Sequence, residues 1–297
     1  MRNFARTLWG KSSPGLFVTT CVTFVAICFI FIYPVVTDVS PFAQDVQNAF
    51  APAFQAPHLL GTDNLGRDAF ARLIFGVRTE LIVCAVGTLI AAFMGTLIGI
   101  LAAYFQGIAD LLLMRFVEIV IAIPTLVFAM LIVSLYGAGN VTVIVICGLV
   151  FFPAFARLVY GEVLSLRRSL YVEAAELAGG TRWQLIRGPL LRGVGPLVLA
   201  QGFVTLAFAV GLESGLSFLG LGITPPAPSL GLMIATGQQY FMQSPWQLLI
   251  PSIVLVLMLV VFGYVADWVR DLLDPRGEGR SRPRGRGRMR MTQNVGV

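Results

Sequence analysis

The chain has 297 residues, 57% hydrophobic and only 12% charged, where an ordinary soluble domain carries about 25% charged residues. A soluble globular protein is excluded. A spanning helix needs roughly 20 apolar residues, so there is room for about six spans and no large soluble domain. The net charge of +6 does not describe a nucleic-acid-binding surface, because residues 276–297 hold seven Arg against the single acid Glu278 and the rest of the chain is balanced.

The first charge-free run, residues 16–36, follows Arg2, Arg6 and Lys11. It exceeds a signal-peptide core and no small-residue cleavage site follows Tyr33-Pro34, so it is read as an uncleaved span. Ahead of it, Gly10-Lys11-Ser12 imitates a phosphate loop, but the strand and helix that such a loop needs are missing around it. With no other nucleotide motif in the chain, any ATP coupling has to come from partner subunits. Between the first two spans lies His58 to Arg78, a polar loop with helical spacing. Thr62 or Asp63 is expected to cap a short amphipathic helix, with Leu65, Ala69, Leu73 and Ile74 on one face and Arg67, Asp68 and Arg72 toward polar surroundings. His58, without a second ligand or a carboxylate partner in view, is poor evidence for a metal.

A second span is expected over residues 81–104. The next charge-free stretch, 119–156, is far too long for one crossing and must fold back, with Gly137-Ala138-Gly139-Asn140 as the turn between spans near 116–136 and 141–161. A fifth span fits 196–216 and a sixth fits 247–267, and Pro225, Pro226, Pro228 and Pro245 make the segment between them a loop. With the N-terminus in the cytosol, 18 of the 21 Lys and Arg fall on the inner side, so both termini are expected to be cytosolic. The four cysteines, Cys21, Cys28, Cys84 and Cys147, lie in apolar runs without ligand spacing and are read as packing residues, not as disulfides or metal ligands. Glu118, Glu162 and Glu213 are placed near span ends, which weakens a proton- or ion-driven carrier, where midplane charges are usual. The pairs Gly95/Gly99 and Gly211/Gly215 allow close helix approach, within this chain or to another.

The inner segment from Tyr171 to Pro196 is expected to be a short helix, a glycine break and a second short helix. Glu173 lies on the first, Ala174 and Ala175 give it a low-profile surface, and Gly179 permits its abrupt end.

Three motifs together resemble the inner-membrane permease subunits of bacterial ATP-binding-cassette importers, specifically the C-type group of dipeptide/oligopeptide permeases. The first is Leu60-Gly-Thr-Asp-Asn-Leu-Gly-Arg-Asp68, similar to that group's outer loop signature. The second is Tyr171-Val-Glu-Ala-Ala with Gly179, similar to the EAA loop. The third is Gly215-Leu-Ser-Phe-Leu-Gly-Leu-Gly222 with Pro225-Pro226 and Leu273-Asp-Pro-Arg276. The chain departs from the family in reading Leu191-Arg192 where a Leu-Pro pair is usual, and Gly179-Gly180 doubles the glycine. The resemblance implies an all-α, polytopic type I importer fold in the bacterial inner membrane. Residues 1–79 would form the N-terminus, first span and outer loop. Residues 80–275 would form a five-span core with a coupling loop at about 163–195, and 276–297 an Arg/Gly-rich cytosolic tail.

Glu173, Ala174, Ala175 and Gly179 would seat on a cytosolic ATPase, while Gly61, Thr62, Asp63, Gly66, Arg67 and Asp68 would carry the loop signature. The partners implied are a homologous permease, two ATPases holding ATP and Mg, and an outer solute receptor. The chain itself would bind no cofactor or metal and catalyse nothing. The cargo would be di- or oligopeptides or similar small solutes, and the alternative is a stand-alone carrier or channel driven by an ion gradient.

Overall fold

The computed structural model describes residues 14–53 and 58–273. The N-terminal basic flank with the phosphate-loop imitation, and everything from Asp274 through the Arg-rich tail, lie outside the described residues. Helices run in the order α1 (Pro14–Val36), α2 (Ala69–Phe105), α3 (Gly107–Ala122), α4 (Thr125–Tyr136), α5 (Asn140–Leu166), α6 (Leu170–Leu177) and α7 (Arg182–Leu185). A π turn over Ile186–Leu190 joins α7 to α8 (Leu191–Phe218), followed by α9 (Leu230–Gln239) and α10 (Trp246–Leu273). The strand-like pairing found among the described residues is one bridge between Thr62 and Asp68.

Four helical runs are long and apolar enough to cross a bilayer, namely α2, α5, the α7–α8 run and α10. The bent pair α3 and α4 makes a fifth if it is one span, and α1 adds a shorter apolar stretch, Val25–Val36. Spans expected from sequence therefore fall where helices are found, with three differences. The span expected over 116–136 is broken, since α3 and α4 meet at 93°. Ile123 is extended (φ −84°, ψ 125°) because a residue before proline is pushed out of the helical region, and Pro124 offers no N–H to continue the ladder. Next, the stretch read as a loop between the fifth and sixth spans holds α9, whose first turn is capped by Ser229 Oγ accepting from Leu232 N–H. Finally, the outer amphipathic helix does not start at Thr62 or Asp63. Residues 61–68 are a tight loop, and the helix starts at Ala69 and continues unbroken as α2 for 37 residues.

The bundle is organised on the α2–α5 pair. A Cβ on Gly95 would meet the Phe152 carbonyl oxygen, and one on Gly99 would lie 2.6 Å from that of Ala156, so the Gly95/Gly99 pair serves packing within the chain. By contrast, a Cβ on Gly215 meets nothing. Leu73, Val77, Leu81 and Cys84 of α2 join Val143 and Cys147 of α5, Ala209 and Val210 of α8 and Phe262 of α10 in the largest core cluster. Cys84 and Cys147 are buried free thiols, as packing residues should be. Large apolar side chains such as Leu89, Phe93, Ile108 and Phe208 point outward, the pattern of a protein whose surroundings are lipid or another apolar subunit.

Candidate functional site

At one end of the bundle α6 and α7 form the helix pair expected from the sequence. Glu173 sits in the first turn of α6, where a carboxylate favours the positive end of the helix. Glu173 and Ala174 are exposed and Ala175 is half-buried. Gly179 ends the helix with φ +82°, a left-handed conformation that glycine adopts without a Cβ penalty, and the Gly180 N–H returns to the Ala175 carbonyl at 3.1 Å. Thr181 then opens α7, its N–H donating to Gln184 Oε1 at 2.8 Å.

The second glycine closes the break tightly, since a Cβ on Gly180 would stand 2.8 Å from the Ala175 oxygen. Leu191-Arg192, where the resembled family has Leu-Pro, is accommodated at the start of α8. Pro189 lies instead in the π turn just before it, and a wider turn tolerates its missing donor.

One face of this element is anchored. Val172, Ile186 and Leu190 are buried against Ile100 and Ala103 of α2, Val159 and Val163 of α5 and Val194 of α8. Arg167 fastens the end of α5 to that of α2, donating from Nη1 to the Ala103 carbonyl at 3.1 Å with its guanidinium over the Tyr104 ring. The opposite face is bare, for Leu170 and Leu177 are each 83% exposed and Trp183 58%.

At the far end of α2 lies the loop containing Gly61, Thr62, Asp63, Gly66, Arg67 and Asp68. Gly61 and Gly66 take φ +74° and +72°, and a Cβ at either would run into backbone of the segment before the loop, at Ala51 or Asp45. Thr62 Oγ1 accepts from Ala51 N–H at 2.8 Å and donates to the Asn48 carbonyl. Asp63 is the hub. Its Oδ1 accepts from the N–H groups of Leu65 and Arg67, each at 2.9 Å, and its Oδ2 meets Arg67 Nε at 2.7 Å and Arg72 Nε at 3.3 Å.

Asp68, not Thr62 or Asp63, caps the helix, with Oδ1 accepting from Ala71 N–H at 2.7 Å. Its other oxygen pairs with His58 Nδ1 at 2.8 Å. The histidine thus has the carboxylate partner that spacing alone did not show. Arg72, expected to face polar surroundings, is buried with only 4% exposure, held by Asp63 and by donation from Nη1 to the Pro41 carbonyl at 3.2 Å.

Sequence reasoning missed one polar cluster. Glu80 of α2 and Glu213 of α8 are both fully buried. Ser214 donates to Glu80 and Ser217 to Glu213, while Ser217 Oγ also accepts from Ile223 N–H at 2.8 Å. Glu80 lay one residue outside the expected second span, and nothing local pointed to a partner so far along the chain. Among the described residues no group of three or more His, Cys, Asp or Glu is placed to hold a metal ion.

Comparison with known proteins decides what this architecture belongs to. Residues 95–278 match the family model described as binding-protein-dependent transport system inner membrane component. The chain belongs to that family of transport permeases. Similar to it is a protein of Escherichia coli strain K12 named as a probable D,D-dipeptide transport system permease, 32% identical over 279 residues, which are 94% of this chain and 93% of that one. An oligopeptide transport system permease of Haemophilus influenzae is 36% identical over 226 residues, 76% of this chain and 73% of its own.

Among solved structures, the MetNI methionine ABC transporter in inward-facing conformations matches with a TM-score of 0.57 at 21% identity, over 68% of this permease and 96% of that chain. The fold is that of a type I importer permease, a multi-pass helical membrane protein. The family's systems include ATPase and other subunits alongside the permease. The matched region of this permease contains α6 and α7 and begins after the 58–68 loop.

Proposed function

We propose that this permease is the membrane subunit of an ATP-driven, receptor-dependent importer of di- or oligopeptides or similar small solutes, moving its cargo by alternating access. The observation that supports this most is the two-sided character of the α6–α7 element. Its inner face is locked to the ends of α2, α5 and α8, while Leu170, Leu177, Trp183 and the low-profile Ala174 are left uncovered around Glu173. A rigid element with one bound face and one bare apolar face is suited to passing a displacement from a subunit that docks on it into the spans. Glu173, Ala174, Ala175 and Gly179 would form that docking surface on an ATPase.

In this reading both termini and α6–α7 are cytosolic, in line with the distribution of basic residues, and the 58–68 loop is extracytoplasmic. The complex holds a homologous second permease as a heterodimer, two ATPase subunits and an outer solute-binding protein. This chain performs no catalysis and binds no cofactor, and ATP with its Mg sits on the ATPases. The relatives named for dipeptide and oligopeptide transport support peptide-type cargo.

The reading is tested on the complex extracted in mild detergent and returned to liposomes. An ATPase pair and a second permease should co-purify with the tagged chain. Glu173→Lys and Gly179→Trp should leave membrane insertion intact and lower ATP-driven uptake by about tenfold or more, equivalent to losing roughly 1.4 kcal/mol of coupling at the docked surface. Normal coupled uptake by both variants would overturn the assignment of the coupling surface. Uptake by the chain alone under an imposed ion gradient would instead favour the carrier.

A further inference from the structure

The 58–68 loop, α9 and the start of α10 line a small open-mouthed pocket, with about 30 Å³ of enclosed room, that the coupling mechanism does not use. Its polar end is built by Asp63, Arg67 and Arg72, and its walls include Leu60, Met233 and Trp246. Charge at that end does not balance. Two guanidinium groups share one carboxylate oxygen of Asp63, which is the sole acid among the described residues lining the pocket.

The interactions of Arg72 use Nε and Nη1, whereas Arg67 engages Asp63 through Nε alone. Nη1 and Nη2 of Arg67 are therefore without a partner among the described residues, on a side chain only 12% exposed. The loop holds this guanidinium fixed through Asp63, and Gln247 Nε2 ties the start of α10 to it by donating to the Thr62 carbonyl at 3.0 Å.

We infer that this pocket is a binding subsite for the carboxylate of a small organic solute. A pre-oriented planar guanidinium with two free donors matches a carboxylate in a bidentate pair. The enclosed room fits the carboxylate itself, and the carbon body next to it, which a bare inorganic anion lacks, would lie at the open mouth against half-exposed Trp246. The inference deepens the importer reading and rests on it for the view that solutes reach this side of the molecule. It assigns the loop signature a ligand chemistry and gives Asp63 the role of positioning Arg67.

The test uses the purified complex in lipid nanodiscs, with N-acetyl-leucine and N-acetyl-leucinamide as probes followed by saturation-transfer NMR. These differ in the carboxylate alone, so wild-type protein gives the first answer without any variant. The acid should bind at least about tenfold more tightly than the amide, the range of one charge-assisted pair. Arg67→Gln should remove that preference, bringing acid binding down to the level of the amide, and Arg67→Lys should restore part of it. Equal binding of acid and amide, or no binding of either, would overturn the subsite. So would an Arg67→Gln complex that keeps the preference. An Arg67→Gln complex that binds both probes normally but docks its soluble receptor weakly would place the carboxylate on the receptor and refute the solute site. Failure of the importer reading is read separately, from the absence of ATPase subunits in the purified complex.

Discussion

Glu80 and Glu213 are buried with no Lys or Arg paired to either among the described residues, and each carboxylate takes one serine hydroxyl, Ser214 for Glu80 and Ser217 for Glu213. Glu80→Gln keeps an acceptor for Ser214 on a side chain of the same shape. Glu80→Ala leaves the Ser214 hydroxyl without its acceptor, at about 1–3 kcal/mol for a buried polar group left unpaired. Thermal unfolding of the detergent-purified complex should therefore give a midpoint near the parent's for the Gln variant and a clearly lower one for Ala. Equal losses would mean that the pair needs a charge and not a hydrogen bond.

At this scale little was legible in advance. Asp63, Arg67 and Asp68 could be singled out from the motif, but a carboxylate turned toward two guanidiniums depends on the left-handed backbone at Gly61 and Gly66, and Arg72 joins only once the loop is closed. Asp68 displaces Asp63 as the cap because Asp63's oxygens are already taken by Leu65, Arg67 and Arg72.

Elements were far easier to read, and prolines mark the limit. Pro34, Pro153, Pro196 and Pro251 all lie inside continuous helices, while Pro124 bends its segment through a right angle. In a span, neighbouring helices can compensate the missing bond, so whether a proline breaks or is absorbed is decided by packing that the local sequence does not contain. The Gly137–Asn140 turn was visible because two glycines close together, both with positive φ in the fold, have no other use in an apolar run.

Small residues carry an equally specific message. Gly95→Leu would drive a side chain into the α5 backbone, at about 1–3 kcal/mol or more for an overfilled core, and folded yield should fall. Gly215→Ala, at an open position, should leave yield unchanged by fluorescence-detected size exclusion. A tolerated Gly95→Leu would show that α2 and α5 can separate more than their packing implies.

Across the whole molecule, the orientation proposed from the distribution of basic residues is one that labelling can check. In a background without native cysteines, Asn140→Cys should react with a membrane-impermeant maleimide on intact cells, and Thr181→Cys only after permeabilisation. The reverse pattern would invert the topology. The long apolar runs were legible here because the bilayer forces them. The pairing of α2 with α5 and the burial of α6–α7 on their ends were not, because these are contacts between segments far apart in sequence.

The 37 residues of α2 have a mechanical consequence. At 1.5 Å per residue the helix is about 55 Å long, reaching from the Asp68 cap to the end gripped by Arg167 and covered by the α6–α7 element. A helix of that length acts as a stiff lever arm, and a tilt of about 5° about one end carries the other through roughly 5 Å. Movement imposed beneath Gly179 would then arrive at Arg67 through one unbroken ladder of backbone hydrogen bonds, with no relay of side chains between.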